Sequence, residues 1–86
     1  MTHDLKTWPE YFLQVVVGKK TFEIRKNDRD FKVKDILHLQ EWDPKTEQYT
    51  GQACSFKVTY LTPLDSFGAL GYVAMAIVPY FPPKQN

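Results

Sequence analysis

Cysteine occurs once in these 86 residues and glycine only four times. A single thiol, Cys54, cannot close an intramolecular disulfide, and no thiolate metal cluster can be built around it. The two histidines, His3 and His38, lie far apart without partners at ligand spacing, so neither a metal nor another cofactor is expected. No apolar run approaches the ~18 residues of a membrane helix, and the N-terminus has no apolar signal region. No membrane partner and a cytoplasmic location are therefore expected. An excess of one charge is lacking too: the net charge is +1, which argues against coating nucleic acid by bulk electrostatics.

The chain is 43% hydrophobic and 24% charged, ordinary proportions for a globular protein. Its length allows one domain, residues 1–86, with a loosely packed tail from 79 to 86. Charge is unevenly spread. Between Lys19 and Lys34 lie seven cations (Lys19, Lys20, Arg25, Lys26, Arg29, Lys32 and Lys34) and three anions (Glu23, Asp28 and Asp30). Such a segment can present a basic patch to phosphate, or be a solvated loop of mixed sign.

Thr7-Trp8-Pro9-Glu10 has the chemistry of a helix start, with Thr7 as N-cap and Pro9 in the first turn. The helix is expected to run to about Val17. Trp8, Phe12, Val15 and Val16 form its apolar stripe, widened by Leu13, and Gly18 is its C-cap candidate. A strand is expected from Thr21 to Lys26, then a turn over Asn27–Asp30 that Phe31 and Val33 plug. Further strands are expected over Ile36–Trp42, Ala53–Thr62 and Tyr72–Val78. Asp43–Gly51 is read as a hairpin connection, and Leu64–Gly71 as a Gly-assisted turn. Cys54, Phe56, Val58 and Tyr60 should share the core face of their strand. The continuous apolar Tyr72–Val78 segment should be buried on both faces.

The densest chemistry lies in Gly18-Lys19-Lys20-Thr21-Phe22-Glu23-Ile24-Arg25. On an extended backbone Phe22 and Ile24 share one face, expected to be the core, and Glu23 and Arg25 the other, facing outward or into a cleft. Arginine offers a planar fork for phosphate, carboxylate or a base edge, and a neighbouring Glu can orient that fork. The same residues on a surface strand would be a solvated ion pair.

Gly18, Lys20, Glu23 and Arg25 form a Gly-x-Lys-x-x-Glu-x-Arg pattern that resembles the motif of ASCH domains, small β-barrels related to RNA-binding PUA domains. With His3-Asp4-Leu5-Lys6, Asn27-Asp28-Arg29-Asp30-Phe31, Glu41-Trp42-Asp43-Pro44 and Gly71-Tyr72-Val73, the chain is similar to the DUF3850 family of uncharacterised ASCH/PUA-like proteins from bacteria and phages. The resemblance covers nearly the whole chain. It implies a mainly β fold with α: a small PUA-like β-barrel with one main N-terminal helix. Lys34 stands where ASCH-like chains commonly carry Gly, which raises a question about the turn there.

The resemblance implies binding of RNA or a nucleotide-like ligand in a cleft between helix and barrel. Lys19 and Lys20 would meet phosphates, Glu23 and Arg25 a base or ribose, and Trp8 or Trp42 would offer a stacking face. Tryptophans at a helix start, as Trp8, or at a strand end, as Trp42, are more often core or rim residues than base platforms. Some proteins similar to ASCH domains are amidohydrolases that remove an acyl group from cytidine. On that reading Lys20, Thr21 and Glu23 would be catalytic, although Glu23 stands at the usual Thr position and Asp65 is the sole acid in the segment before the last strand. A third reading is a protein-interaction module docking through Tyr80, Phe81 and the prolines around them.

Overall fold

The strand that starts the fold is hidden in a polar sequence. Thr2–Thr7 (β1) alternates strictly, with His3, Leu5 and Thr7 buried and the residues between them exposed. Two of its three inward residues are His and Thr, so no hydrophobic alternation announces it. The structure, a computed structural model, describes residues 1–82. Four more strands follow: Phe22–Lys26 (β2), Ile36–Asp43 (β3), Gln48–Pro63 (β4) and Tyr72–Pro79 (β5). Pro9–Val16 (α1) is the one α-helix among the described residues, and a 3-10 turn spans Asp65–Phe67.

The strands form one sheet in the order β1-β3-β4-β5-β2. β1 runs parallel to β3, and the other neighbours are antiparallel. The fold is mostly β with one short helix, as expected, and the sheet curls into a half-barrel. β1 and β2 are the two edge strands and do not pair with each other, and side chains span the seam between them: Arg25 reaches the carbonyl of Lys6, and Arg29 that of Asp4.

Thr7 does not cap α1. It ends β1, while Trp8 takes the N-cap position with extended backbone and no side-chain bond, and Pro9 opens the helix. Of the expected apolar stripe only Phe12 and Val15 are buried; Trp8, Leu13 and Val16 are exposed. An eight-residue helix packed against β3 turns too narrow a face inward to cover more. Gly18, at φ +83°, makes the left-handed exit expected of a helix terminus. The amides of Lys19 and Lys20 both donate to the Gln14 carbonyl, which fixes where β2 begins.

The core is built from Leu37 and Leu39 of β3, Phe56 and Val58 of β4, and Val73, Met75 and Ile77 of β5, with Leu5, Phe12, Val15 and Phe31. A register shift between Val58 and Tyr60 turns Tyr60 outward and lets Leu61 pack against the core instead. β5 alternates, with Val73, Met75 and Ile77 inward and Tyr72 and Val78 exposed. It therefore has one buried face rather than two, since α1 covers only the concave side near β3. The 43–51 connection is shorter than expected: Asp43 pairs with Gln48 and Trp42 with Tyr49. At the other end Pro79 pairs with Phe56, and the Tyr80 amide donates to the Ser55 carbonyl. Residues 83–86 of the expected tail lie outside the described residues.

The largest correction concerns β2. Glu23 pairs with Met75 and Arg25 with Val73, both inward on β5, so register carries the charged pair to the concave face. Phe22 and Ile24 point the other way and are 46% and 52% exposed.

The segment before β3 is pinned by Asp35. Its carboxylate meets His3 Nε2 at 2.8 Å, accepts the Lys32 amide at 3.0 Å, and lies 3.2 Å from the amino group of Met1. Phe31 seats edge-on against His3, whereas Val33, the other expected plug, is exposed. Lys34 adopts φ +79°, the left-handed conformation that suits glycine and costs another residue about 1 kcal/mol.

Two measurements test this packing. Phe22→Ala should lower stability by about 1 kcal/mol or less in urea unfolding, against about 2–5 kcal/mol for the fully buried Leu39→Ala; equal losses would place Phe22 in the core. Burial alone would raise the pKa of Asp35, but the bonds from His3, the Lys32 amide and the terminal ammonium outweigh it and hold the carboxyl below its ordinary 3.8. Its stabilisation is thus complete above that value and disappears as pH falls through the lower folded-state pKa. Asp35→Asn should cost about 1–3 kcal/mol at neutral pH. The gap from the parent should narrow below pH 3.8, and a gap independent of pH would show that the charge of Asp35 is unimportant.

Candidate functional site

The concave face of β2 meets the end of β1 at the open seam, and there the chain buries a carboxylate. Glu23 is 3% exposed. Its Oε1 accepts from Lys20 Nζ at 2.6 Å and its Oε2 from Arg25 Nε at 2.9 Å. The guanidinium continues across the seam, Nη1 donating to the Lys6 carbonyl at 3.0 Å and Nη2 to Thr7 Oγ1 at 3.2 Å. Lys20 Nζ also donates to the Phe22 carbonyl at 2.8 Å. Two cations thus grip one carboxylate, leaving the cluster at net +1.

Burying Glu23 is tolerable because both oxygens are satisfied by charged donors. Its negative charge reaches further into the half-barrel. The Cys54 thiol is pushed up in pKa, first by burial and then by Glu23. Among the described residues no cluster of His, Cys, Asp or Glu is arranged to hold a metal ion.

The cluster floors a cleft of about 640 Å³, within the ~300–1,000 Å³ typical of small-molecule sites. Lys20, Glu23 and Arg25 all line it, with Phe22 and Ile24 beside them on β2. Lys6 and Thr7 close the β1 side, and Trp8 and Tyr11 form the wall at the helix start. Trp8 is 48% and Tyr11 52% exposed, so two half-open rings stand beside a positive floor, with the outward-facing Phe22 at the rim, its ring centroid 5.0 Å from Lys20 Nζ.

The other expected residues lie elsewhere. Lys19 is exposed, and neither it nor Thr21 lines the cleft. Trp42 is outside as well, although its ring carries Lys6 Nζ at 4.1 Å from the centroid and thereby helps to place that ammonium. Asp65 serves the 3-10 turn, its carboxylate accepting the Gly71 amide. Sequence reasoning assigned no cleft role to Lys6, Thr7 or Tyr11. Their places become readable only once Thr2–Thr7 is recognised as a strand, because that strand sets Thr7 opposite Arg25 and starts the helix at Trp8.

A family profile described as "Domain of unknown function (DUF3850)" matches residues 2–77. The chain belongs to the DUF3850 family. The match opens at the first residue of β1 and contains every residue that lines the cleft. This DUF3850 domain is also similar to the "Uncharacterized 12.9 kDa protein in GpA 3'region" of Escherichia phage P2, at 35% identity over 65 residues. That alignment covers 76% of this chain and 58% of the relative, so the DUF3850 chain spans little more than half of the phage protein. No helix among the described residues is long and apolar enough to cross a membrane.

Arg25 ties Glu23 to β1, so its removal should act on folding first. Arg25→Ala should cost about 3–5 kcal/mol because it strips a buried carboxylate of one partner. Glu23→Leu combined with Arg25→Met should lose less than Arg25→Ala alone. Urea denaturation of these variants decides the point, and an Arg25→Ala protein as stable as the parent would mean that the clasp contributes nothing to the fold.

Proposed function

We propose that this domain binds RNA through a nucleotide unit held in the seam cleft, and that it acts by recognition without covalent chemistry. The observation that carries the reading is a net positive cluster on the floor of a nucleotide-sized cleft whose walls are half-exposed aromatic rings. A phosphate needs charged donors and a base needs a flat apolar face. Lysine has three N–H donors and arginine five. Lys20 spends two of its donors and Arg25 three, so both keep donors for a ligand. Trp8 and Tyr11 offer the faces.

Glu23 takes a different role from the one the motif suggests. Each of its oxygens already accepts from a cation and the side chain is 3% exposed, so it orients the two cations rather than reading a base edge. The resemblance of Gly18, Lys20, Glu23 and Arg25 to the ASCH motif supports the same ligand class, since those domains are PUA-like. Hydrolysis of an acylated nucleoside is less favoured: Thr21, the hydroxyl that would act beside Lys20, is not a lining residue.

Trp8→Ala and Tyr11→Ala change exposed rings, and each should lower affinity for single-stranded RNA by about 1–3 kcal/mol if a base stacks there. Their unfolding midpoints should stay near that of the parent. Fluorescence anisotropy with RNA and DNA strands, run beside an acylcytidine hydrolysis assay, checks this. Undiminished RNA affinity in both variants would refute the cleft as the binding site, and turnover that depends on Lys20 would replace binding with catalysis.

A further inference from the structure

The cleft is one end of a longer basic feature. Further along the seam a smaller depression of about 210 Å³ is lined by Leu5, Arg25, Lys26, Asp28, Arg29 and Phe31, and it shares Arg25 with the cleft. We infer that the whole seam is a track for an unstacked single strand of nucleic acid, in which Lys26 and Arg29 form a second phosphate position next to the nucleotide cleft. This rests on reading the cleft as a nucleotide site.

The spacing of the two arginines supports it. In the parallel ladder the odd residues of β1 bond to β3, the Met1 carbonyl accepting from Ile36, and the even residues turn their backbone groups to the seam. Arg25 is anchored on the Lys6 carbonyl and Arg29 on the Asp4 carbonyl at 2.7 Å. These anchors are two residues apart on one strand, roughly 6.6 Å at about 3.3 Å per residue. The rise of about 3.4 Å per phosphate in a stacked strand is measured along the helix axis, and because the backbone winds around that axis, neighbouring phosphates stand farther apart than the rise. The two guanidinium positions therefore suit neighbouring phosphates of one strand, and a base of that strand must leave the stack to meet an aromatic face. The aromatic cleft lies where such a base would go.

The donors are available. Arg29 spends one N–H on Asp4 and keeps the other four, and Arg25 keeps two. Lys26 is exposed and forms no ion pair among the described residues. Asp28 offsets one charge, leaving the depression positive even with Arg25 assigned to Glu23. Leu5 and Phe31 are buried beneath it, and a dry floor strengthens ionic contacts above it.

The test compares the parent with Arg29→Ala and Lys26→Ala, each first checked by thermal unfolding. Uridine 5′-monophosphate, a fluorescent single-stranded RNA dodecamer and the same dodecamer as a duplex are titrated across a salt series. Both variants should bind the mononucleotide within about twofold of the parent and lose roughly 5–10-fold for the single strand. The slope of log affinity against log salt should fall by about 0.7 for each phosphate contact removed. The parent should prefer the single strand to the duplex. Unchanged single-strand affinity in both variants, equal losses for mononucleotide and strand, or a parental preference for duplex would overturn the track and leave the nucleotide cleft standing. A parent that binds none of the three would overturn both. If Arg29→Ala fails to fold, Lys26→Ala decides the matter, since its exposed side chain makes no bond that the fold uses.

Discussion

The fold depends on how a sheet that stops short of closing manages its two free edges. β1 and β2 end as edge strands facing one another, and exposed edges invite pairing with other chains. Here the gap is bridged by a guanidinium rather than by a ladder: Arg25 binds the Lys6 carbonyl and Thr7 on one strand and Glu23 on its own. That geometry requires a buried carboxylate to hold the arginine, and Glu23 in turn requires Lys20 to satisfy its second oxygen. Lys20 is in place because its amide is tied to the Gln14 carbonyl at the helix exit. The seam is thus closed by a chain of dependent contacts, each of which leaves polar groups facing the cleft.

Register explains why charge rather than hydrocarbon occupies this face. Reading Phe22 and Ile24 as core followed from local hydrophobicity, but the face of an edge strand is set by its neighbour. Val73, Met75 and Ile77 are the inward set of β5, and their partners on β2 are the residues that must follow them inward. A slip by one residue would bury Phe22 and Ile24, yet it would pull Arg25 away from β1 and leave the seam open. Nothing in residues 21–26 alone reveals that trade, because the deciding contacts lie 18 and 19 residues away in sequence.

Much else was legible, and the misses share a cause. The strands near Ile36–Trp42, Ala53–Thr62 and Tyr72–Val78 and the helix after Pro9 follow from period and turn chemistry, as does the left-handed exit at Gly18. β1 was not, because its inward residues His3 and Thr7 are polar groups whose partners, Asp35 and Arg25, come from elsewhere in the chain. The outward turn of Tyr60 was not, because a bulge changes phase without a glycine to mark it. For the site, the motif named Lys20, Glu23 and Arg25, and the structure brings these three together. Lys6, Thr7 and Tyr11 escaped because the wall they form exists only after β1 has paired with β3.

The arrangement also constrains what evolution or design can do with this domain. Replacing a buried ionic cluster by hydrocarbon is often neutral or stabilising for folding, so stability alone does not require Lys20, Glu23 and Arg25. A hydrocarbon seam would still bury the core. It would not hold two cations at fixed positions on the floor of an aromatic cleft, each with donors to spare. On the proposed binding function, Glu23 is a positioning group: it accepts the desolvation of its own charge so that the charges beside it stand oriented before a ligand arrives, which is how an electrostatic site avoids the reorganisation that a flexible surface lysine would undergo on binding.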